Sequence, residues 1–262
     1  MPELLEVEAY RRAAARLAGR TVLGVDLPDG RYLRGVEPEV LRASVTGRSV
    51  VGVRRHGKLL IVDLGGPDAR GPSLGLHFGM TGRLLVDGDA AIDGLRYGPA
   101  GNRAAWVRFG LRTAPAGGLE VIDPRRLGSV RLDPDPADLG PDAATLSTAQ
   151  LSAALDSGRP LKAVLLDQGA VAGLGNLLVD ESLWRARIRP DRVARALDPS
   201  ERRRLARTIR STVSDLGRRG GSDTGDLQEP RDARGTCPRC GAPLSRATVA
   251  GRTTFWCPAE QV

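Results

Sequence analysis

Apolar residues recur along this chain at two spacings, and the switches between them divide the sequence. From Leu4 to Leu17 the apolar positions Leu4, Leu5, Tyr10 and Leu17 read as one amphipathic helix, with Glu6 and Glu8 near its start. From Thr21 to about Leu132 the pattern becomes short β-like runs, among them Thr21–Val25, Leu59–Val62, Arg83–Val86 and Trp106–Phe109. Gly, Pro and Asp separate these runs, which predicts a sandwich or barrel. Helical spacing returns near 148–157, 160–168, 177–186 and 199–217, and Pro199-Ser200-Glu201 is a helix-start signal. The expected fold class is therefore α+β. Its divisions are a β-sandwich with a leading helix over 1–132, a Pro/Asp-rich linker over 133–145 and a helical domain over 146–219. A mobile Gly/Asp/Arg-rich loop follows over 220–236, and a small metal-type β-hairpin over 237–262.

Composition narrows the class. With 262 residues, 41% of them hydrophobic, the chain can bury one large or two modest cores. No apolar run approaches the ~20 residues a membrane helix requires. Met1-Pro2-Glu3 lacks the basic n-region of a secretory signal. Three cysteines, an odd number, argue against a disulfide framework. A soluble, cytoplasmic chain is expected. The net charge of +8 suggests a polyanionic partner. Of the 39 cations only Lys58 and Lys162 are lysines, compact charges able to lose a proton, which an arginine cannot do. Gly173-Leu174-Gly175-Asn176 is a glycine turn opening a helix, whose amides could receive a phosphate.

Chemistry concentrates at the two ends. Cys237-Pro238-Arg239-Cys240 and Cys257-Pro258-Ala259-Glu260 are two knuckles separated by sixteen residues, close to a four-ligand zinc ribbon, with Glu260 in the fourth position. Two outcomes follow: zinc on three thiolates with Glu260 or water, or a ribbon that has lost its metal. So short a segment struggles to fold without metal, which favours zinc. At the amino terminus Met1 precedes a small residue that permits methionine removal. That leaves Pro2 with a free secondary amine able to attack an aldehyde-level carbon and form an iminium. Glu3 stands next to it as a candidate acid or base.

Taken in order, Met1 to Glu8, Arg55-His56-Gly57-Lys58-Leu59-Leu60, His77-Phe78-Gly79-Met80-Thr81-Gly82, Asp123-Pro124-Arg125-Arg126-Leu127-Gly128, the segment Leu161 to Pro190 and the cysteine ribbon resemble one family. It is the formamidopyrimidine-DNA glycosylase and endonuclease VIII family of base-excision repair enzymes, and the resemblance runs nearly the whole length. The acidic opening Glu6-Val7-Glu8 is closer to the formamidopyrimidine branch.

The resemblance implies an N-terminal β-sandwich, a C-terminal helix–two-turn–helix domain with a zinc finger, and a bifunctional DNA glycosylase and AP lyase acting on oxidised purines. It casts Pro2 as the nucleophile at C1′, Glu3 as the acid for the sugar ring oxygen, and Lys58 as a phosphate contact that assists β-elimination. Arg252 and Asn176 become phosphate-gripping residues, with Arg252 also linked to δ-elimination. Met80, Arg125 and Leu127 become the wedge that replaces an extruded base, and Arg126 and His77 backbone-phosphate contacts. Lys162 lies on the helix leading to the lesion side, among the DNA-binding residues. The implied partner is double-stranded DNA with oxidised bases or abasic sites, met by a monomer at the nucleoid. Oxidised pyrimidines as substrate, or a damaged-DNA-binding protein without turnover, are the alternatives.

Departures from the family pattern are Leu5 in place of proline, Leu127 in place of phenylalanine, Leu178 in place of tyrosine, and a shortened stretch over 220–236. A leucine wedge stacks on bases less well than phenylalanine.

Overall fold

The structure, a computed structural model, describes every residue except Met1, 67–68, Tyr97 and 232–233. The chain forms two compact units, one of Pro2 and Glu6–Pro136, the other of Glu3–Leu5 and Ala137–Val262.

In the first unit the leading helix α1 (Leu4–Ala14) is shorter than its apolar pattern predicts, because the last turn tightens into a 3-10 turn, Ala15–Leu17. Gly19, at φ +84°, then turns the chain into the first strand. Val7, Tyr10, Ala14 and Leu17 are fully buried, one stripe at helical spacing. Among the described residues nine antiparallel strands form one sheet. They are β1 (Thr21–Asp26), β2 (Ser49–His56), β3 (Leu59–Gly66), β4 (Ala69–His77), β5 (Arg83–Val86), β6 (Asp89–Ala90), β7 (Val107–Ala114), β8 (Gly118–Ile122) and β9 (Ser129–Leu132). Their order is β6-β5-β8-β7-β1-β2-β3-β4-β9. The join in the middle is thin, since β1 and β2 share one register pair, Thr21 with Ser49. The two halves make the sandwich, closed over Leu60, Val62, Leu74, Leu76, Phe109 and Val121. Trp106 ends a 3-10 turn, Ala104–Trp106, so the strand expected from Trp106 starts one residue later. The helix α2 (Pro38–Val45) buries Leu41 and Val45.

The second unit is helical: α3 (Thr148–Ala154), α4 (Leu161–Leu166), α5 (Asn176–Ala186) and α6 (Pro199–Arg219). Two starts are capping boxes, Ser147 with Gln150 and Asp198 with Glu201, the latter followed by Pro199 at the first helical position. Helix α4 is shorter than expected because Pro160 has no N–H for a helix interior and stands as its cap, and the chain leaves helical geometry at Asp167. Helix α6 buries Leu205, Ile209, Val213 and Leu216 and ends at Gly220, φ +113°. These pack with Leu4, Leu5, Leu161, Leu165, Leu178 and Leu183 in one core. A two-stranded hairpin, β10 (Ser245–Val249) and β11 (Arg252–Trp256), closes the chain. Of the segment 220–236 expected to be mobile, Asp232 and Ala233 lie outside the described residues. The rest includes a 3-10 turn, Ser222–Thr224, and the buried Leu227 and Gln228. Among the described residues no helix is long and apolar enough to cross a membrane.

Tyr10 ties α1 to the site region of the sandwich. Its ring lies 4.5 Å from Phe78 and its hydroxyl donates to Gly82 O at 3.1 Å. Tyr10→Phe leaves that buried carbonyl without this donor and is expected to lower the unfolding free energy by about 1–3 kcal/mol. Denaturant unfolding checks this, and an unchanged midpoint would count against the role.

Candidate functional site

In the first unit the candidate residues gather at one end of the strands. Lys58 is buried in the β2–β3 turn, whose geometry is held by Arg55: its guanidinium donates to Gly57 O at 2.8 Å and to Glu8 Oε2 at 3.3 Å. His77 ends β4 and stands in register with Leu59 on one side and Ser129 on the other. The residues next to Lys58 and Gly128 therefore border it on both flanks. His77 Nδ1 accepts the Gly79 N–H at 3.2 Å, which starts the turn carrying Met80. Gly79 sits at φ +56°, and a Cβ there would lie 2.4 Å from the backbone of Leu127. Only glycine lets these two turns touch.

The two turns are braced by a residue to which sequence reasoning gave no role. Asp123 is fully buried, and its carboxylate accepts from Thr81 Oγ1 at 2.8 Å, from the N–H of Gly128 at 2.8 Å and of Arg125 at 3.2 Å, and from Tyr32 Oη at 3.4 Å. A signal was present: a lone carboxylate follows the apolar Val121-Ile122 and precedes a turn. Outside this brace the backbone presents Arg125, Arg126 and Leu127 to solvent, with Leu127 48% exposed. Arg126 takes φ +56° and reaches Asp29 Oδ2 at 3.3 Å. Pro2 is buried, and Met1 lies outside the described residues.

In the second unit Glu3 dominates. Its carboxylate accepts the N–H groups of Leu177 at 2.8 Å, Gly175 at 2.9 Å and Leu178 at 3.1 Å. These are orphan donors at the start of α5, and the positive end of the helix dipole favours the anion there. The expectation that this glycine turn presents its amides to a phosphate is thus corrected, because Glu3 already occupies them. Asn176, the first residue of α5, donates from Nδ2 to Thr253 O at 3.0 Å, next to the exposed Arg252 that opens β11.

Lys162 also departs from expectation. It is fully buried, its ammonium 2.6 Å from Asp180 Oδ1, so it anchors the interior rather than a DNA surface. Burial pushes its pKa down, and the Asp180 carboxylate pulls it up. Asp180 also accepts from Arg231 and, at 3.3 Å, from the Phe255 N–H. One buried carboxylate thereby ties α4, α5 and the hairpin together. The neighbouring Glu181 accepts from the N–H groups of Leu227 at 2.9 Å and Asp226 at 3.1 Å. Neither acid stood out in sequence, where each reads as a solvated helix position.

The sulfur atoms of Cys237, Cys240 and Cys257 lie within 4.8 Å of one another, with Cys240 exposed. Burial raises the Cys237 thiol, but the Trp184 indole N–H at 3.4 Å and the amides of Arg239 and Cys240 outweigh it and draw the pKa down. Burial and the adjacent thiols push Cys257 up. Three converging sulfurs at this spacing fit zinc, which takes thiolates at about 2.3 Å in a tetrahedral set. Glu260 does not join them: its Oε2 lies 3.1 Å from Arg239 and 3.3 Å from Arg187.

Two substitutions test these braces. A Cβ at residue 175 would fall 2.3 Å from the Glu3 carboxyl carbon. Gly175→Ala is therefore expected to unseat Glu3 and lower unfolding free energy by about 1–3 kcal/mol, the cost of leaving buried polar groups unmatched. Asp123→Asn places an NH2 where N–H and O–H donors converge, and a loss of similar size, about 1–3 kcal/mol, is expected. Thermal melts check both, and wild-type stability in either would remove that brace from the account.

Three family descriptions match in series: Formamidopyrimidine-DNA glycosylase N-terminal domain over residues 1–130, Formamidopyrimidine-DNA glycosylase H2TH domain over 133–225, and the zinc finger found in FPG and IleRS over 236–259. The chain is 36% identical to the formamidopyrimidine-DNA glycosylase of Thermus thermophilus, with 100% of this chain and 98% of the relative covered. It is 34% identical to that of Acidiphilium cryptum, with both fully covered. Among solved structures, Lactococcus lactis Fpg with N7-benzyl-Fapy-dG-containing DNA aligns at TM-score 0.82 and 27% identity over 99% of both chains. The same enzyme with abasic-site DNA aligns at TM-score 0.81 and 27% identity, again over 99% of both. Full-length matches of this kind, together with the order of motifs along the sequence, place this chain in the formamidopyrimidine-DNA glycosylase family.

Proposed function

We propose that this protein is a bifunctional DNA glycosylase and AP lyase that removes oxidised purines, 8-oxoguanine and formamidopyrimidine, in base excision repair. The observation that carries the reading is the seating of Glu3 on three amide donors of α5, which immobilises the residue joined to the nucleophile. With Met1 removed, the Pro2 nitrogen attacks C1′ of the damaged nucleotide. The C1′–base bond breaks with its electrons going to the base, which takes a proton from water, and the Glu3 carboxylate accepts the Pro2 N–H proton and passes it to the ring oxygen as the sugar opens. The resulting iminium holds its charge without further proton loss and acidifies C2′. Loss of that proton expels the 3′ phosphate, and δ-elimination then releases the 5′ phosphate.

The remaining candidates serve extrusion and grip. A base must leave the stack before any nucleophile reaches C1′, so the duplex is kinked and clamped. Met80, Arg125 and Leu127 fill the vacated space, while Lys58, His77, Arg126, Asn176 and Arg252 hold phosphates. Nδ2 of Asn176 spends one proton on Thr253 and keeps a second for an acceptor. Zinc, when bound by the three cysteines, would cross-link the hairpin that carries Arg252. Lys162 drops out of the DNA-contacting set on account of its burial. The protein acts in the cytoplasm, at the nucleoid.

A second reading, oxidised pyrimidines as substrate, is favoured by one observation: Lactococcus lactis Fpg, 28% identical, was also solved with an oxidized-pyrimidine-containing DNA.

Borohydride trapping on an abasic duplex is expected to give a covalent adduct, sharply reduced in Pro2→Gly. Glu3→Gln is expected to slow base release by roughly 10²–10⁴-fold, the usual worth of a positioned general acid. Cleavage across duplexes with 8-oxoguanine, formamidopyrimidine and oxidised pyrimidines ranks the two substrate readings. An adduct at full yield from protein whose Met1 is intact by mass spectrometry would overturn the mechanism, because an amide nitrogen cannot attack. Absence of any adduct would leave a DNA-binding protein without turnover.

A further inference from the structure

In a ribbon with two C-x2-C knuckles the fourth ligand would stand at residue 260, and this chain has a glutamate there. That glutamate is occupied. Oε2 is held by Arg239 at 3.1 Å and Arg187 at 3.3 Å, and the side chain is 18% exposed. Arg239 is itself fixed, its guanidinium 4.3 Å over the Trp184 ring, while the Trp184 indole N–H points at Cys237 Sγ.

The backbone around Glu260 is also fastened. Gln261 Nε2 donates to Ile188 O at 2.9 Å, and Gln261 Oε1 accepts the Cys257 N–H at 2.8 Å. Arg189 N–H donates to Val262 O at 3.1 Å. For Glu260 to swing onto a metal it would have to leave two guanidinium partners. A carboxylate side chain is also longer than the cysteine it replaces. Cys240 is exposed, so the cluster of three sulfurs borders solvent.

We propose that this chain binds zinc through Cys237, Cys240 and Cys257 alone, with a fourth coordination position open to solvent that takes an exogenous donor, water or a small thiol. Glu260 acts as an ion-pair strap between the second knuckle and the end of α5, not as a ligand. The site thus combines the hairpin-stapling of a structural ribbon with the open position that usually marks a catalytic zinc. The inference rests on donor geometry in the hairpin and is independent of the substrate assignment.

Cobalt substitution of the full-length protein tests it without reference to activity. Wild type is expected to show a tetrahedral Co(II) spectrum whose sulfur-to-cobalt charge-transfer band has roughly three quarters the intensity of that in Glu260→Cys, three thiolates against four. Glu260→Gln should match wild type. Adding 2-mercaptoethanol should raise the wild-type band towards that of Glu260→Cys and leave the latter unchanged. Zinc release to a chelator should be faster from wild type than from Glu260→Cys. A spectrum altered by Glu260→Gln would make Glu260 a ligand, and a wild-type band indifferent to thiol would mean a closed site. Failure of wild type to take up either metal stoichiometrically would mean a metal-free ribbon. Each of these overturns the proposal, and the Glu260→Gln and thiol arms decide it even if Glu260→Cys does not fold.

Discussion

A carboxylate buried at the start of a helix organises the second unit. Glu3 is 1% exposed, and removing an unpaired carboxylate from water costs several kcal/mol. Helix α5 offsets that cost because its first-turn amides have no intrahelical acceptors of their own and lie at the positive end of the dipole. Each side solves the other's problem: the helix start gains an acceptor for its donors and the anion gains its hydrogen bonds. The fit requires glycine at 175, where a side chain would collide with Glu3. It also explains why Leu4 and Leu5 contribute to the second core, since their neighbour is pinned there and the Leu4 N–H donates to Gly173 O at 3.1 Å.

The same device recurs wherever a segment of the candidate site must be stiff. Asp123 locks the turns bearing Met80 and Leu127, Asp180 locks the hairpin through Phe255, and Glu181 locks the segment at Asp226–Leu227. A buried acid that accepts several backbone N–H groups fixes loop geometry more firmly than apolar contact, because displacement leaves several donors unmatched at once. The two lysines belong to this interior economy. In a chain whose other cations are arginines, Lys162 is fully buried and Lys58 is 8% exposed. A slim stem ending in a point charge fits a confined site where a planar guanidinium fork would not.

This pattern also explains what could be read from the sequence. The strands, the helices of the second unit and the cysteine hairpin were legible because apolar periodicity reports burial directly. Ends were less so: the last turn of α1 and the entry to β7 depend on turn geometry that periodicity does not record. The turns carrying Lys58, Met80 and Leu127 were legible as motifs. Their braces were not, since Asp123, Asp180 and Glu181 find their donors at positions distant in sequence or on backbone amides, which carry no sequence signature. Lys162 was misplaced for the same reason, its partner Asp180 lying eighteen residues away across two helices. Glu260 showed only as an absence of cysteine, and its arginine partners emerged once the fold placed Arg187 beside the second knuckle.

The turn at Arg125–Leu127 shows what these braces hold in place. Leu127 points an aliphatic side chain into water directly after two exposed arginines, Arg125 and Arg126, the second of them at φ +56°. A non-glycine residue in that region costs on the order of 1 kcal/mol or more and persists where the surroundings over-determine it. Here Asp123 and the close approach of Gly79 to Leu127 supply that constraint. The fold thus holds the Leu127 side chain outward. On the function proposed above, in which Leu127 enters a gap between bases and Arg126 meets phosphate, a side chain held beforehand loses little conformational freedom on insertion. On that reading, the weaker stacking of leucine places more of the work of extrusion on this preorganisation than a phenylalanine would need.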